Sequence, residues 1–442
     1  MSEKFFIKTY GCQMNVHDSL RMSNLLKTEG FDEVFDASLA KIIIFNTCSI
    51  RGNARNKVLS DIGFIQKERT GGKKEFFIAV GGCVSAHDKE NLLKGTRKID
   101  LVFGPDQVSK LPFLLKQCLN SNRKMIDVEF IDESFSYSKN EIKTRHENGL
   151  TPKGIAYISI IKGCNNFCSF CIVPFTRGRE KSRKIDDIIA EAKFLVDTGI
   201  KEIILLGQNV NSFGKDTGET FTGLIKKIDE LGIKRLRFLT PHPKDLSSDC
   251  INSFFELKSL CNYLHLPVQS GSSKVLEAMN RKYDRKKYLS IINKFRKKDP
   301  GFAFGTDIIV GFPGETTDDF KETLSLLKEV EFENIFSFKY SPREGTKAAK
   351  MIDSVKAHDK EERLEILNEL QAGIRKKNAL KNIDATWEIL VESESKYSKD
   401  CVGGRSREFR YVNLNGSKDL IGEFVNVKIT DISDLTYKGI IC

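Results

Sequence analysis

Short apolar runs alternate with amphipathic stretches along residues 3–119 of the chain. Four runs have the length of β-strands and are rich in β-branched and aromatic residues: 5–10, 42–46, 76–80 and 101–103. The stretches between them show helical periodicity, as in residues 17–29, which end at Gly30. Strands that alternate with helices are typical of an open parallel α/β sheet. We therefore expect one domain of this kind over residues 3–119.

The pattern breaks in residues 120–149. Charged residues, Ser and Asn are scattered through this stretch, and the apolar positions follow no sustained period. Such composition is typical of a connection between domains. We interpret residues 120–149 as a linker with room for one edge strand.

The alternation of strand and helix returns in residues 150–378 and repeats six times. Predicted strands cover residues 156–161, 202–206, 236–240, 263–266, 305–310 and 335–340. Predicted helices include residues 185–198, 274–279, 284–297 and 316–329, and a long helix at 357–377 follows. Six units are too few for a closed eightfold barrel, so we expect a partial (β/α)6 barrel.

The helical signal stops near residue 380. Four short predicted strands follow at residues 386–391, 410–414, 424–429 and 437–441, separated by turn residues. This pattern predicts a small β-barrel over residues 380–442. The expected fold class is thus α/β, with an open parallel sheet, a partial barrel and a small β-barrel in that order.

The composition also indicates where the protein is located and which class of partner it binds. The 442 residues are 40% hydrophobic and 30% charged, and the longest apolar runs are strand-sized, far below the ~20 residues of a membrane span. The first residues lack the features of a signal peptide, so we expect a cytosolic protein that does not contact a membrane. The net charge of +11 favours a polyanionic partner, although a solvated lysine-rich surface explains it equally.

Eleven cysteines in a cytosolic chain indicate metal or redox chemistry rather than disulfides. Cys164, Cys168 and Cys171 form a C-x3-C-x2-C run directly after the first barrel strand. Three thiolates bind three irons of a [4Fe-4S] cube and leave one iron open. An open iron can bind S-adenosylmethionine, and one-electron transfer then releases a 5′-deoxyadenosyl radical. A structural zinc ion is the alternative, but no fourth cysteine or histidine lies nearby.

Three further cysteines fall two to four residues after predicted strands of the first sheet: Cys12, Cys48 and Cys83. The carboxyl ends of parallel strands share one edge of a sheet, so these thiols are expected to converge. We interpret them as a second three-thiolate cluster site with an open iron. Buried free cysteines, which pack as small hydrophobes, are the alternative. The remaining five are interpreted as incidental: Cys118, Cys250, Cys261, Cys401 and Cys442.

Several long motifs occur in order along the chain. They are TYGCQMN at 9–15 followed by Asp18-Ser19, CIVPFTRGRE at 171–180, LGQNVN at 206–211, LHLPVQSG at 264–271, TDIIVGFPGET at 306–316 and FKYSPREGT at 338–346. On these motifs the chain resembles the methylthiotransferase family of radical S-adenosylmethionine enzymes over nearly its whole length. One departure is Pro241, which stands where we would expect serine.

The resemblance implies an activity and its cofactors. Cys12, Cys48 and Cys83 would bind an auxiliary [4Fe-4S] cluster, and Cys164, Cys168 and Cys171 the radical-generating one. S-adenosylmethionine would serve as methyl donor and radical source. The product would be the 2-methylthio derivative of N6-(dimethylallyl)adenosine at position 37, in the anticodon loop of tRNA. We expect a monomer that also needs a sulfur donor and an external one-electron reductant.

Residues at or just past predicted barrel strand ends are candidates for holding S-adenosylmethionine: Gln208, Asn209, Gln269, Ser270 and Asp307. Each could equally be a turn or capping residue. The resemblance also implies that the C-terminal barrel is an RNA-binding TRAM domain. Because its overall charge is nearly balanced, we expect RNA contacts at Arg405, Arg407 and Arg410, for which a solvated strand edge is the alternative.

Two other kinds of function stay open at this point. Within the family, the target could instead be threonylcarbamoyladenosine in tRNA or an aspartate of a ribosomal protein, although the Gln13-Met14-Asn15 context argues against both. Outside it, a noncatalytic metal-containing RNA-binding protein would use the cysteines for structural zinc. An iron-sulfur electron carrier has no need for open irons or for a barrel of this size.

Overall fold

The computed structural model describes residues 2–49, 54–70, 76–94, 98–121, 123–131, 135–395, 400–433 and 436–442. Contacts divide the chain into two compact units. The first unit comprises Met1–Thr151, Ile161–Asn165 and Cys171–Arg183, and the second comprises Pro152–Ile160, Asn166–Phe170 and Lys184–Cys442. Each unit is described by itself below. The three-domain boundaries derived from the sequence stay a prediction.

The first unit is built on a six-stranded, fully parallel sheet in the order β2-β1-β3-β4-β5-β6. Its elements are β1 (Lys4–Thr9), α1 (Gln13–Thr28), β2 (Asp32–Glu33), β3 (Ile42–Thr47), α2 (Ala54–Thr70), β4 (Phe77–Gly82), α3 (Cys83–Asp88), β5 (Leu101–Phe103), α4 (Leu111–Ser121), β6 (Met125–Asp127) and α5 (Lys139–Glu147). Every residue of β3 and β4 is buried, as in a parallel sheet covered on both faces. The predicted open parallel sheet is confirmed.

The stretch predicted to be a linker is only partly irregular. It contains the expected edge strand, β6, which pairs with β5, but also the helix α5, which the sequence analysis missed. Ser138 caps this helix, and Arg21 of α1 holds it through an ion pair of 2.6 Å with Glu141. The helix escaped prediction because polar contacts attach it to α1, with few apolar positions to show a period.

Six parallel strands of the second unit follow one another as predicted. Its elements are β7 (Ile155–Ser159), α7 (Ile185–Asp197), β10 (Glu202–Leu206), α8 (Phe221–Asp229), β11 (Arg235–Phe238), α9 (Ser248–Glu256), β12 (Tyr263–His265), α10 (Ser273–Ala278), α11 (Arg285–Lys298), β13 (Ala303–Val310), α12 (Thr317–Val330), β14 (Asn334–Lys339) and α13 (Ala357–Leu380). Three short elements between β7 and α7 belong to the first unit: β8 (Ile161–Lys162), α6 (Val173–Thr176) and β9 (Lys181–Ser182). Strands β7, β10 and β11 form one parallel group, and β12, β13 and β14 form another. A parallel bridge between Leu236 and Leu260 joins the groups, which gives the partial (β/α)6 barrel.

The last part of the chain is a closed barrel of five strands in the order β15-β16-β17-β19-β18. The strands are β15 (Thr386–Glu394), β16 (Cys401–Arg405), β17 (Tyr411–Asn415), β18 (Phe424–Ser433) and β19 (Thr436–Ile441). The sequence analysis missed β16, because its Gly403-Gly404 pair is unusual inside a strand. A Cβ atom on Gly403 would lie 2.0 Å from the hydroxyl of Tyr411, so the glycine makes room for this ring.

Short 3-10 helices complete the fold: Ala37–Leu39, Lys89–Leu92, Pro105–Lys110, Val210–Ser212, Pro243–Asp245, Ala348–Lys350 and Lys418–Leu420. Within the described ranges, none of the helices has both the length and the apolar character that crossing a bilayer requires.

Two buried arginines of β11 bind the C-terminal barrel within the second unit. Arg235 donates to the carbonyl oxygen of Arg405 at 2.7 Å, and Arg237 donates to that of Ser406 at 2.7 Å. Arg237 also forms a buried ion pair of 3.0 Å with Glu202 of β10. Charged donors that satisfy buried carbonyl groups hold the two layers together more firmly than neutral contacts would.

The Arg237→Ala variant is expected to lose about 3–5 kcal/mol of unfolding free energy, because it leaves the buried Glu202 carboxylate without its partner. Lys321→Ala is the matched control, since Lys321 and Asp318 form an exposed ion pair of 2.9 Å. This control should change stability by no more than about 0.5 kcal/mol. Thermal or denaturant unfolding measures both, and equal effects of the two variants would contradict the assigned role of Arg237.

Candidate functional site

Three cysteines of the first unit lie at the carboxyl edge of its sheet. Cys12 is the N-cap of α1 after β1, Cys48 directly follows β3, and Cys83 begins α3 directly after β4. The strands β1, β3 and β4 are neighbours and run parallel, so their ends share one edge. The structure therefore brings together the first predicted trio, as the strand-end spacing indicated.

Asn15 fixes the two loops that carry Cys12 and Cys48. Its side-chain amide is fully buried and donates to the carbonyl oxygens of Tyr10 at 3.1 Å and Thr47 at 2.8 Å. Its carbonyl oxygen accepts a hydrogen bond of 3.0 Å from Arg177. The sequence analysis gave Asn15 no role, and its place in the TYGCQMN motif was the only available signal.

Arg177 is a buried cation beside the thiols. Its Nε donates to Cys83 Sγ at 3.3 Å, and its Nη2 forms an ion pair of 2.8 Å with Asp18. Although burial opposes its charge, Asp18 and the thiols keep its pKa above the ordinary range. The pKa of Cys12 is lowered to about 6 by a hydrogen bond with Cys48 and by the charge of Arg177, although burial opposes this shift. At Cys12 the site thus favours the thiolate, the form that binds metals.

Gly11 lets Cys48 approach Cys12. Its φ of +109° is strained for other residues, and a Cβ atom would lie 2.2 Å from Cys48 Cβ and 2.6 Å from Cys48 Sγ. Glycine is therefore required at this position both because other residues rarely adopt this φ and because a side chain would clash with Cys48.

The donor set of this edge fits an iron-sulfur cube. Three thiols converge with a buried arginine that balances their negative charge. In the part of the chain that the structure describes, no three or more His, Cys, Asp or Glu side chains surround the position of a single ion. A [4Fe-4S] cube does not require this, because each thiolate binds a different iron.

The second predicted trio lies on a loop whose residues are divided between the two units. In the first unit, the backbone N–H of Cys164 donates to the carbonyl oxygen of Gly178 at 3.2 Å. Gly163 has φ +75°, and a Cβ atom there would lie 2.0 Å from the carbonyl oxygen of Arg179. In the second unit, Asn280 holds the loop by donating to the carbonyl oxygen of Phe167 at 2.9 Å.

A buried arginine also contacts the second trio. Arg281 Nη1 donates to Cys168 Sγ at 3.2 Å, and its Nη2 donates to the carbonyl oxygen of Pro267 at 2.8 Å. His242 Nε2 lies 4.0 Å from the same sulfur, and burial, together with Arg281, holds the pKa of His242 far below its usual range. His242 follows Pro241, the residue that departs from the family pattern. The sequence analysis named neither Arg281 nor His242 as a site residue.

The five candidates for S-adenosylmethionine lie in three places of the second unit: Gln208 and Asn209 follow β10, Gln269 and Ser270 follow β12, and Asp307 lies inside β13 and not at a strand end as expected. The backbone of Gln269 lies against β13, with its N–H 2.9 Å from the carbonyl oxygen of Asp307. Asn209 follows β10 and donates to Asp245 at 2.9 Å, and Gln208 precedes it. Ser270 is fully buried, and its hydroxyl lies 3.4 Å from that of Thr323. Their role as cofactor ligands stays a prediction.

The RNA contacts expected of the C-terminal barrel stay a prediction. All three arginines have protein partners within the second unit, and they do not form a free basic edge. The partners are Glu392 for Arg405, the carbonyl oxygens of Lys258 and Leu260 for Arg407, and Glu333 for Arg410. Arg407 and Arg410 join the barrel to residues just before β12 and β14, whereas Arg405 forms its ion pair with Glu392 inside the barrel.

Three family models match the chain. The model described as "Uncharacterized protein family UPF0004" matches residues 4–104, the radical SAM superfamily matches 158–327, and the TRAM domain matches 382–440.

Curated relatives match over nearly full length. The tRNA-2-methylthio-N(6)-dimethylallyladenosine synthase of Thermoanaerobacter sp. (strain X514) is 43% identical over 442 residues, which cover 98% of this chain and 92% of the relative. The synthase of the same name from Clostridium tetani is 43% identical and covers 98% of this chain and 95% of the relative.

Solved structures share the fold. The radical S-adenosylmethionine methyltransferase TsrM from Kitasatospora setae, solved with cobalamin and a [4Fe-4S] cluster, has a TM-score of 0.55 at 12% identity and covers 79% of this chain and 74% of that chain. The cobalamin-dependent S-adenosylmethionine radical enzyme OxsB has a TM-score of 0.51 at 13% identity and covers 84% of this chain and 56% of that chain. At this identity the likeness concerns the fold alone.

The Gly11→Ala variant is expected to bind less iron than the unchanged protein. The new Cβ atom occupies the space of Cys48 and moves this thiol away from Cys12. Iron and acid-labile sulfide per chain, measured after anaerobic purification, should fall by about half if one of two cube sites is lost.

Gly30→Ala provides the matched control for this experiment. Gly30 has a φ of +87°, and nothing lies within 4 Å of a Cβ atom built there, so the variant suffers similar backbone strain without the clash. It should keep the iron and sulfide content of the unchanged protein. Equal iron loss in both variants would show that strain, and not the position of Cys48, controls binding.

Proposed function

The chain belongs to the tRNA-2-methylthio-N(6)-dimethylallyladenosine synthases, a family of radical S-adenosylmethionine methylthiotransferases, and on this premise we propose its cofactors, substrate position and site residues. It converts N6-(dimethylallyl)adenosine in tRNA to the 2-methylthio derivative. The proposed target is the adenosine at position 37 in the anticodon loop. Iron-sulfur and S-adenosylmethionine chemistry follow from the family, and the proposal adds two separate [4Fe-4S] clusters, one for each cysteine trio.

The proposal of an auxiliary cluster rests on the arrangement of Cys12, Cys48 and Cys83. Three neighbouring parallel strands deliver these thiols to one edge, and Arg177 supplies the counter-charge that a buried anionic site needs. We assign the six cysteines as iron ligands: Cys12, Cys48, Cys83, Cys164, Cys168 and Cys171. With three thiolates at each cube, one iron stays open for chemistry.

Arg281 and His242 have supporting roles at the radical-generating trio. Arg281 donates to Cys168 Sγ while it also bonds the backbone at Pro267, so it fixes the position of this ligand. His242 stays neutral because it is buried close to Arg281. A neutral imidazole adds no positive charge beside the thiolate. When bound, the cluster and S-adenosylmethionine supply the radical that carbon 2 of adenine requires, since no acid or base of ordinary pKa activates this position.

The proposed ligands of S-adenosylmethionine are Gln208, Asn209, Gln269, Ser270 and Asp307. For Gln208, Asn209, Gln269 and Ser270, support comes from their place after the carboxyl ends of β10 and β12, where ligands of α/β barrels bind. Asp307 and Gln269 are the better supported pair, because Gln269 is held beside β13 by backbone hydrogen bonds to Asp307 and Ile309. The hydroxyl of Ser270 faces Thr323, which gives this residue a positioning role.

The partners follow from the chemistry and the charge. The net charge of +11 and the TRAM match support tRNA as the polyanionic substrate. The proposed RNA contacts on the barrel stay Arg405, Arg407 and Arg410, each of which also has a protein partner. The reaction also needs a sulfur donor and an external one-electron reductant, and we propose that the protein works as a monomer in the cytosol.

Nucleoside analysis of tRNA tests the function directly. A strain that lacks its own synthase and carries this chain should accumulate 2-methylthio-N6-(dimethylallyl)adenosine. Cys12→Ala and Cys164→Ala should abolish the product, because each leaves only two thiolates for its cube. Cys442→Ala, at an exposed cysteine, should leave it unchanged.

The alternative functions predict a different product or a different bound metal in the same experiments. A methylthio product on threonylcarbamoyladenosine or on a ribosomal protein would replace the proposed substrate. Two cubes correspond to about eight irons per chain, whereas stoichiometric zinc without sulfide would contradict an enzyme of this kind. Unchanged product in Cys12→Ala or Cys164→Ala would reject the cysteine assignments.

A further inference from the structure

Two phenylalanine rings of β14 are open to solvent. Phe336 is 56% exposed and Phe338 is 41% exposed, whereas Phe304 of β13 and Phe332 just before β14 are buried. Large apolar side chains that stay exposed side by side indicate a binding surface more often than single exposed residues do.

Both rings lie on the face of β14 that is turned away from α13. On the opposite face, Ser337 Oγ lies 2.6 Å from Asn368 Oδ1, and Lys339 Nζ lies 2.5 Å from Glu361 Oε1, both in α13. Successive side chains of a strand point to opposite faces, so Phe336 and Phe338 line the inner face of the partial barrel.

A polar pair borders the apolar rings on the same face. The ring of Phe336 lies 5.6 Å from that of His265, and His265 Nε2 lies 3.1 Å from Asp307 Oδ1. Tyr263 Oη lies 3.4 Å from His265 Nδ1 and extends the polar chain. The inner face therefore offers an apolar wall and polar side chains next to each other.

This surface continues into the proposed cofactor site. The strand register places Phe336 opposite Asp307 and Phe338 opposite Ile309. The backbone of Gln269 forms hydrogen bonds with Asp307 and with Ile309. Ile309 packs against the same small core as Phe170, which directly precedes Cys171. We call Phe336 and Phe338 the phenylalanine wall. A group bound on this wall would thus lie along the strands that hold the proposed cofactor ligands.

We propose that Phe336 and Phe338 form the subsite for the dimethylallyl group of the substrate adenosine, an inference that rests on the proposed function. The dimethylallyl group is a branched five-carbon hydrocarbon, so its burial against two exposed phenyl rings is favourable. A threonylcarbamoyl group instead carries a carboxylate, which loses its hydration against phenyl rings and meets the like charge of Asp307. The wall selects the prenylated adenosine and disfavours the threonylcarbamoylated one.

The test compares two anticodon stem-loop RNAs that differ only in dimethylallyladenosine against adenosine. Binding to the reconstituted enzyme is measured by fluorescence anisotropy, and methylthiolation by mass spectrometry. The double variant Phe336→Ala/Phe338→Ala should bind the prenylated RNA about tenfold more weakly or worse, while its binding of the plain RNA stays within about twofold. Phe336→Leu/Phe338→Leu keeps an apolar wall and should restore most of the preference.

Two controls separate this effect from damage elsewhere. Phe113→Ala removes a comparably exposed phenylalanine from α4 and should leave the preference for prenylated RNA intact. The rate of 5′-deoxyadenosine formation without RNA should also be the same in Phe113→Ala and the unchanged enzyme, because this variant keeps the cysteines and the proposed cofactor ligands.

The assignment is wrong if the double variant keeps the preference for prenylated RNA, or if its affinity for both RNAs falls equally. Failure of the proposed function has a different signature. In that case the unchanged enzyme itself would form no methylthio product on the prenylated RNA, and the subsite would be rejected together with the function.

Discussion

Three thiols can bind one metal cube only if the backbone brings them to a common edge and a positive charge balances them there. In the first unit a parallel sheet meets the first condition, because the carboxyl ends of β1, β3 and β4 lie side by side. Arg177 meets the second, with its guanidinium between Cys83 and Asp18. Burial makes both conditions strict, since an unbalanced thiolate away from water is costly.

Buried arginines also pair with other hydrogen-bond acceptors inside the protein. Arg281 donates to the sulfur of Cys168 and to a nearby carbonyl oxygen, and Arg237 pairs with Glu202 while it satisfies carbonyl groups of the C-terminal barrel. The planar guanidinium suits these places because it donates in several directions and stays charged when buried. Some of the arginines that the sequence displays are therefore used inside the protein and are not available for RNA.

Some parts of the fold depend on contacts that leave no periodic pattern. The helix α5 is held by the Arg21–Glu141 ion pair, and β16 contains two glycines, of which Gly403 makes room for Tyr411. The protein partners of Arg405, Arg407 and Arg410 could not be predicted for a related reason. A cluster of arginines looks the same in a sequence whether its partners are phosphates or buried carbonyl groups.

The sequence by itself predicted most of the elements, their order and the two cysteine trios, because apolar period and ligand spacing are local properties that the chain carries in any conformation. It also carried the motifs that identify the family. Only the tertiary structure decided which side chains support the thiols, among them Asn15 and Arg281, and which aromatic rings stay exposed on the inner face of β14. These properties arise between residues that are distant along the chain, so they exist only once packing has brought the strands and loops together.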